Sequence, residues 1–158
     1  MTGRPIRIAV CGAGTLSGGE LGRAAEEVGR RLAEAGAVLV CGGLSGVMER
    51  AARGAAEAGG LTIGILPGTD AGDANPHIVL PLPTGMGEGR NALVVRAGDA
   101  VLALGGSWGT LSEVALARKM GIPVVLFRPG LTASLGLEEA ASVEAAVNRV
   151  LALARARR

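Results

Sequence analysis

The feature of the sequence that most constrains its fold is the stretch Val101–Glu113, where an apolar run meets a glycine-rich turn and then a helical pattern. The run Val101–Leu104 is short and apolar, which predicts a buried β-strand. The turn Gly105–Thr110 contains three glycines, and a helix is predicted from Leu111. Such a turn lets backbone N–H groups point at one place, and the helix N-terminus adds unpaired donors and a positive dipole end. We therefore expect this turn to bind a phosphate or carboxylate group.

Glu113 has two interpretations on the sequence alone. It lies one turn inside the predicted helix, so its carboxylate could project towards the same turn and take part in chemistry. Alternatively, Thr110 and Glu113 form a capping box, with Thr110 at the N-cap position and Glu113 at N3. The pattern does not choose between the two.

The composition favours an α/β protein. The chain has 158 residues, of which 49% are hydrophobic and 27 are glycine, and its aromatic side chains are one Trp and one Phe. This mixture suits helices packed closely on a parallel sheet. The length fits a single domain spanning residues 1–158, which is large enough to bury a core.

Several classes of protein and site are disfavoured. The net charge is only +2, and apart from the terminal run Arg155–Arg158 no basic stripe is present, so no nucleic-acid partner is expected. We interpret those arginines as complementing a helix C-terminus.

No apolar run reaches membrane-spanning length and no signal peptide is recognised, which predicts a cytoplasmic protein without a membrane partner. With one histidine and no Cys/His cluster, a structural zinc site is excluded, and no metal site is expected. We also expect that the protein requires no cofactor. Cys11 and Cys41 both end apolar runs and are interpreted as small buried residues.

Strand and helix patterns alternate along the chain and predict five or six βα units. The predicted strands are Ile6–Cys11, Ala37–Cys41, Leu61–Leu66, Ile78–Leu80, Val101–Leu104 and Pro123–Phe127. Ser17 and Glu20 predict a capping box for the first helix, and Ser142 predicts the N-cap of the last. The expected fold is a Rossmann-like, doubly wound parallel sheet with three layers, α/β/α, whose ligands bind at the carboxyl ends of the strands.

Glycines also follow the first two predicted strands, and they have two interpretations. They are Gly12 and Gly14 after the first strand and Gly42, Gly43 and Gly46 after the second. They could let a ligand lie close to the backbone, or they could serve only tight packing. An NAD site is disfavoured, because Ser17 stands at the third glycine position and the second strand lacks the acidic residue that binds ribose.

The longest irregular segment covers residues 69–89, and its role is not assigned. It contains Asp70 and Asp73, which are interpreted as loop-forming residues, and the only histidine, His77, which is interpreted as a surface residue. Arg90 follows at the start of the next predicted helix, where a cation opposes the helix dipole. Its position makes sense if an anion binds nearby; the alternative is a solvated surface arginine.

Five motifs together resemble one known family, over nearly the whole chain up to about Phe127. These motifs are Gly42–Glu49, Gly64–Gly68, Thr84–Met86, Arg90–Asn91 and Gly105–Glu113. The chain is similar to the Rossmann-like family of the LONELY GUY cytokinin-activating phosphoribohydrolases, long labelled "possible lysine decarboxylase". The Thr-Gly-Met and Arg-Asn patterns resemble most closely the molybdenum-cofactor carrier branch.

The resemblance implies roles for particular residues. The family's catalytic arginine and glutamate correspond to Arg90 and Glu113. Its phosphate-binding segment corresponds to Gly105, Gly106, Ser107, Trp108, Gly109 and Thr110. The chain departs from the phosphoribohydrolase pattern where Gly105 replaces a proline, Ser107 a glycine and Asn91 a lysine. A pyridoxal-phosphate lysine decarboxylase is rejected, because the only lysine, Lys119, lies far along the helix from the turn.

Two functions follow as expectations. The first is binding of a phosphorylated, nucleotide-like small molecule or cofactor, such as an AMP-like nucleotide or a molybdopterin-type ligand, with Asn91 beside Arg90 in the site. The second is an enzyme, a nucleoside 5′-monophosphate phosphoribohydrolase, in which Arg90 anchors the phosphate and Glu113 acts at the ribose. The resemblance also implies a homodimer or a higher homo-oligomer.

Overall fold

The computed structural model describes residues 3–158, and a parallel sheet organises them. The strands are β1 (Arg7–Gly12), β2 (Val38–Cys41), β3 (Thr62–Leu66), β4 (Leu80–Pro83), β5 (Ala100–Leu104) and β6 (Val124–Phe127). The helices are α1 (Glu20–Glu34), α2 (Val47–Glu57), α3 (Asn91–Ala97), α4 (Trp108–Lys119) and α5 (Val143–Ala156). Three short 3₁₀ segments, Ala71–Asp73, Gly87–Arg90 and Leu131–Leu135, lie between them.

The six strands lie in the order β4-β3-β2-β1-β5-β6, and every neighbouring pair is parallel. The chain builds outward from β1 to β4 and then returns to the other side of β1 with β5. The switch point of the sheet therefore lies between β1 and β5, where Gly12 is the register partner of Leu104. The loops that follow these two strands emerge side by side.

Helices cover both faces of the sheet, because strand side chains alternate between two apolar cores. On one face, α1, α2 and α5 pack on strand residues such as Val10 and Leu102. On the other face, α3 and α4 pack on residues such as Ala9 and Val101. The predicted three-layer, doubly wound α/β fold is confirmed.

Both cysteines are free and buried, as predicted. Cys11 belongs to the core under α3 and α4, whereas Cys41 belongs to the core under α1 and α2. The two thiols therefore pack into different layers of the protein.

Helix starts agree with the sequence only in part. Ser142 caps α5, since its hydroxyl oxygen accepts a hydrogen bond from the Ala145 N–H at 3.1 Å. The capping box predicted for Ser17 and Glu20 is wrong: α1 begins at Glu20, behind Gly19, and has no side-chain cap. The Glu20 carboxylate instead lies 2.7 Å from the guanidinium of Arg128, beyond β6.

The fourth strand lies two residues later than predicted, at Leu80–Pro83 rather than Ile78–Leu80. Prolines are tolerated there because β4 is an edge strand. Thr84 donates its N–H to the Leu66 carbonyl of β3. Because backbone nitrogens along a strand point alternately to its two sides, the nitrogens of Pro81 and Pro83 face away from β3, where no hydrogen-bond donor is needed.

The C-terminal arginines contact the opposite end of the chain. Arg158 donates hydrogen bonds to the Arg4 and Pro5 carbonyls and to the Asp99 carboxylate, and Arg157 contacts the Gly98 carbonyl. They lie at the edge of the sheet where the strands begin. Within residues 3–158, no helix combines the length and the apolar character needed to cross a membrane.

Candidate functional site

A cavity of about 220 Å³ opens at the carboxyl ends of β1 and β5. Ten residues line it: Gly12, Gly14, Met48, Glu88, Arg90, Asn91, Ser107, Gly109, Thr110 and Glu113. Eight of them belong to the set that the sequence and the resemblance pointed to. Met48 and Glu88 were missed, although Met48 stands two positions after Gly46 and Glu88 two positions before Arg90. Their nearness to those motifs was the available signal.

The N-terminus of α4 forms one wall of this cavity. The helix begins at Trp108, and its N-cap residue, Ser107, makes no side-chain capping bond. The capping box predicted from Thr110 is therefore wrong, since Thr110 lies at the third helical position and not at the N-cap. Its side chain covers Gly106, where a Cβ atom would lie 2.3 Å from the Thr110 hydroxyl oxygen and where φ is +110°. The first N–H groups of α4 thus retain their capacity to bind an anion.

Arg90 forms the opposite wall. It ends the 3₁₀ segment before α3 and is only 7% exposed, which excludes the alternative of a solvated surface arginine. Its guanidinium fills the space beside Gly42, where a Cβ atom would lie 2.7 Å from the Arg90 Nη2 atom. The Nε atom of Arg90 is buried and has no hydrogen-bond partner among the described residues. A buried cation with an unused donor is costly unless something compensates it.

Glu113 supplies part of that compensation. It is also 7% exposed, and its Oε1 atom lies 3.8 Å from the Arg90 Nη1 atom. Burial raises the pKa of the Glu113 carboxyl above its ordinary value. A hydrogen bond from the Cys11 thiol and the charge of Arg90 oppose that rise, and the charge of Glu88 adds to it. Burial thus outweighs the neighbouring groups, and the Glu113 carboxyl retains its proton more readily than an exposed glutamic acid does.

Cys11 underlies the site as a neutral thiol. Burial raises its pKa well above the ordinary value, and the adjacent Glu113 raises it further. Because the thiolate is the reactive form, this cysteine is a hydrogen-bond donor and not a nucleophile. The sequence predicted its burial but gave no signal for its contact with Glu113.

Most of the glycines after β1 and β2 serve close packing. At Gly12 an added Cβ atom would lie 2.5 Å from the Leu104 carbonyl oxygen. At Gly43 it would lie 2.6 Å from the Leu66 side chain, and at Gly46 it would lie 2.1 Å from the Ala13 carbonyl oxygen. Gly14 differs, since a Cβ atom there meets nothing within 4 Å and the residue lines the cavity. Gly42, Gly43 and Gly46 shape the site without lining it.

Three residues of the Gly105–Thr110 turn lie outside the lining. Gly105 packs against Leu21, where a Cβ atom would come within 2.8 Å, and Gly106 lies under Thr110. Trp108 is 75% exposed at the start of α4.

The polar side chains of the irregular segment 69–89 lie in different places, and none of His77, Asp70 and Asp73 lines the cavity at Arg90. The His77 carbonyl accepts a hydrogen bond from the Thr62 hydroxyl at 2.7 Å, which places His77 near the first residue of β3 and away from the site. Asp70 caps the first 3₁₀ segment by accepting from the Gly72 N–H. Asp73 lines a second cavity of about 390 Å³ beyond β2, together with Ser45 and Glu49.

A larger surface cavity, of about 430 Å³, lies along α1 and α2. Its charged side chains pair with one another, as Arg50 does with Glu26 at 3.0 Å. The Nε atom of Arg50 also lacks a hydrogen-bond partner, but the Arg50 side chain is 36% exposed and reaches water, whereas Arg90 is buried beside the N-terminus of α4. No group of three or more His, Cys, Asp or Glu side chains suited to a metal ion occurs within the described range, residues 3–158.

Solved structures of similar proteins match this chain over almost its full length. The molybdenum cofactor binding protein of the phototrophic bacterium Rippkaea orientalis is 36% identical with a TM-score of 0.89, covering 96% of this chain and 99% of that one. The molybdenum cofactor carrier protein of Chlamydomonas reinhardtii is 36% identical with a TM-score of 0.87, covering 95% and 98%.

A phosphoribohydrolase is a more distant relative. The cytokinin riboside 5′-monophosphate phosphoribohydrolase of Rhodococcoides fascians is 33% identical over 112 residues, which cover 65% of this chain and 54% of that protein. The resemblance predicted from the sequence motifs, with its closer likeness to the carrier branch, is thereby confirmed. Residues 5–155 match the SLOG cluster4 family. The chain belongs to the SLOG cluster4 family.

Proposed function

We propose that this protein binds a phosphorylated, nucleotide-like small molecule or cofactor at the carboxyl ends of β1 and β5. The phosphoryl group lies between the N-terminus of α4 and the guanidinium of Arg90. Backbone N–H groups of residues 106–110 donate hydrogen bonds to it, and Arg90 neutralises its charge. The rest of the ligand extends past Gly14, the open glycine of the site.

The observation that carries this proposal is the burial of Arg90 with an unused Nε donor beside an uncapped helix N-terminus. Two positive features that face one cavity repel each other in the absence of an anion. Glu113 offsets only part of that charge, because its own burial disfavours the ionised form. A phosphate group between them compensates both features.

The size of the cavity suits the phosphoryl end of the ligand. A cavity of about 220 Å³ accommodates a phosphoryl group and part of a sugar or ring, and not a whole dinucleotide. An AMP-like nucleotide and a molybdopterin-type ligand share this phosphorylated end. The molybdenum cofactor proteins that resemble the chain favour the cofactor-type ligand.

Replacement of Arg90 tests the anion site. We expect Arg90→Ala to weaken AMP binding by about 1.5–3 kcal/mol, the usual contribution of a hydrogen bond to a charged group. Isothermal titration calorimetry with AMP measures the change.

Arg96→Ala is the matched control. Arg96 is exposed at the far end of α3, so this variant removes the same charge without touching the cavity. Equal affinities of Arg90→Ala and Arg96→Ala for AMP would contradict the proposed role of Arg90.

The second candidate function is hydrolysis of the N-glycosidic bond of a nucleoside 5′-monophosphate. The observation that favours it is the pairing of Arg90 with Glu113 at 3.8 Å, in a chain related to a phosphoribohydrolase. An ionised Glu113 would stabilise positive charge that develops on the ribose or would position the attacking water. Asn91, in place of that family's lysine, favours binding without hydrolysis.

Product release from AMP distinguishes the two functions. We expect little or no adenine and ribose 5-phosphate from the parent protein, and only a modest change in AMP affinity in Glu113→Gln. Robust cleavage by the parent that is lost by a factor of about 100 or more in Glu113→Gln would establish the hydrolase instead. Chromatographic detection of adenine provides the measurement.

A further inference from the structure

A chain of hydrogen bonds connects Arg90 to the N-terminal turn of α4. The Arg90 Nη1 atom donates to the Asn91 side-chain oxygen. The Asn91 amide nitrogen donates to the Ser112 hydroxyl oxygen at 3.0 Å, and the Ser112 hydroxyl donates to the Gly109 carbonyl at 2.7 Å. The chain begins at the cation and ends inside the helix whose first N–H groups face the same cavity.

The amide of Asn91 is suited to this position because it uses one acceptor and one donor. An aspartate would accept from Arg90 but would add a negative charge and lose the donor to Ser112. A lysine, which the phosphoribohydrolases carry here, has no acceptor for the guanidinium and would add a second cation. Asn91 is only 4% exposed, so its amide has protein partners and little contact with water.

We infer that Asn91 is a positioning residue, which fixes the Arg90 guanidinium relative to the N-terminus of α4 and thereby sets the affinity for a phosphoryl group. Arg90 has a long side chain with many rotamers, and an incoming anion would otherwise have to order it. The bond to Asn91 orders it in advance, and the link through Ser112 ties it to the second wall of the site. This inference rests on the proposed function.

A double-mutant cycle of Asn91 and Arg90 shows whether Asn91 affects ligand affinity through Arg90 or only through packing of the protein. The affinity for AMP and for inorganic phosphate is measured by calorimetry in the parent, Asn91→Ala, Arg90→Ala and the double variant. We expect Asn91→Ala to weaken AMP binding by about 5- to 30-fold, as for other coupled neighbours. In the Arg90→Ala background the same change is expected to alter affinity less than twofold, because Asn91 acts through Arg90. Equal losses in both backgrounds would overturn the inference.

Ser112 provides a second variant, since it is exposed and its replacement leaves the core intact. Ser112→Ala breaks the link to α4 and is expected to weaken AMP binding in the same direction as Asn91→Ala, but less. Ser112→Thr keeps the hydroxyl and is expected to retain the parent affinity. A Ser112→Ala variant with unchanged affinity would contradict the role of the link.

The inference and the proposed function can fail separately. If the parent protein binds neither AMP nor phosphate, the proposed function fails. The positioning role is then judged from crystal structures of the parent and of Asn91→Ala without ligand. A displaced Arg90 guanidinium in the variant supports the role, and an unchanged guanidinium overturns it.

Discussion

At the scale of single residues, the site consists of a buried cation and a buried carboxyl group whose mutual pairing is incomplete. Arg90 and Glu113 are each 7% exposed, yet their nearest charged atoms are 3.8 Å apart and the Arg90 Nε atom has no partner among the described residues. Burying charges without full compensation opposes folding. Such an arrangement is typical of a binding site, where the ligand completes it.

The raised pKa of Glu113 predicts a pH-dependent stability. A carboxyl group whose folded-state pKa is raised stabilises the protein below its ordinary pKa, 4.5, and loses that contribution as pH rises through the folded-state value. Glu113→Gln does not ionise. We therefore expect its free energy of unfolding, relative to the parent, to increase as pH rises above about 4.5 and then to level off.

Urea unfolding at a series of pH values measures this difference. Glu139→Gln, which removes an exposed carboxylate, corrects for the loss of one charge. A parent that gains stability relative to Glu113→Gln over the same pH range would show that the Glu113 carboxylate is stabilised, and not disfavoured, by its surroundings.

The residues of the candidate site that carry a local signal could be predicted from the sequence. Arg90 was recognisable because a cation at a helix start needs an explanation, and Glu113 because it follows a glycine turn by a fixed spacing. The contact of Glu113 with Cys11 could not be predicted, because it depends on how α4 lies over β1. The capping box failed for a similar reason: Thr110 packs over Gly106, and α4 begins three residues earlier than predicted, at Trp108 and not at Leu111.

At the scale of secondary structure elements, the closest approach is between α1 and α2. A Cβ atom at Gly29 would lie 1.9 Å from the Ala51 carbonyl, and one at Gly54 would lie 1.9 Å from the Glu26 carbonyl. The two helices therefore meet backbone to backbone. Small residues on both helices, such as Gly29 in α1 and Gly54 in α2, allow this approach.

This contact predicts an inverted effect of a helix-favouring substitution. Alanine usually stabilises a helix relative to glycine by about 0.5–1 kcal/mol. We expect Gly29→Ala instead to destabilise the protein by about 1–3 kcal/mol or more, because its methyl group meets backbone that cannot move aside. Urea unfolding measures the effect.

Gly22→Ala in the same helix is the control, since its methyl group would meet only the movable ends of Leu16 and Arg50. We expect its stability to stay within about 1 kcal/mol of the parent. A Gly29→Ala variant as stable as Gly22→Ala would show that the helices can separate without cost.

The order and type of the elements could be predicted from the sequence, but some of their boundaries could not. The spacing of apolar residues and the positions of turn-forming residues indicate strands and helices, and the six predicted strands all occur. Pro81 and Pro83 obscured β4, because prolines disfavour a strand unless it lies at an edge, and the edge position is a property of the whole sheet. The start of α1 was missed because Ser17 and Glu20 have the spacing of a capping box, whereas the helix begins at Glu20 and the Glu20 carboxylate pairs with Arg128, more than 100 positions away.

At the scale of the whole molecule, the topology makes the site. Separate segments, Gly12–Gly14, Gly87–Arg90 and Gly105–Thr110, meet because the sheet reverses its direction of growth between β1 and β5. We propose that residues 1–158 act as one domain built around this junction.

A homodimer or a higher homo-oligomer stays a prediction. At the β4 edge, Pro81 and Pro83 remove the N–H donors that would face an added strand, which disfavours assembly by extension of the sheet there.

A crystal structure of the protein with AMP tests directly whether a phosphoryl group binds between the N-terminus of α4 and Arg90. We expect the phosphoryl oxygens to lie within hydrogen-bond distance of backbone N–H groups of residues 106–110 and of the Arg90 guanidinium. AMP bound with its phosphate elsewhere, while this turn is filled by the protein's own side chains, would contradict this expectation.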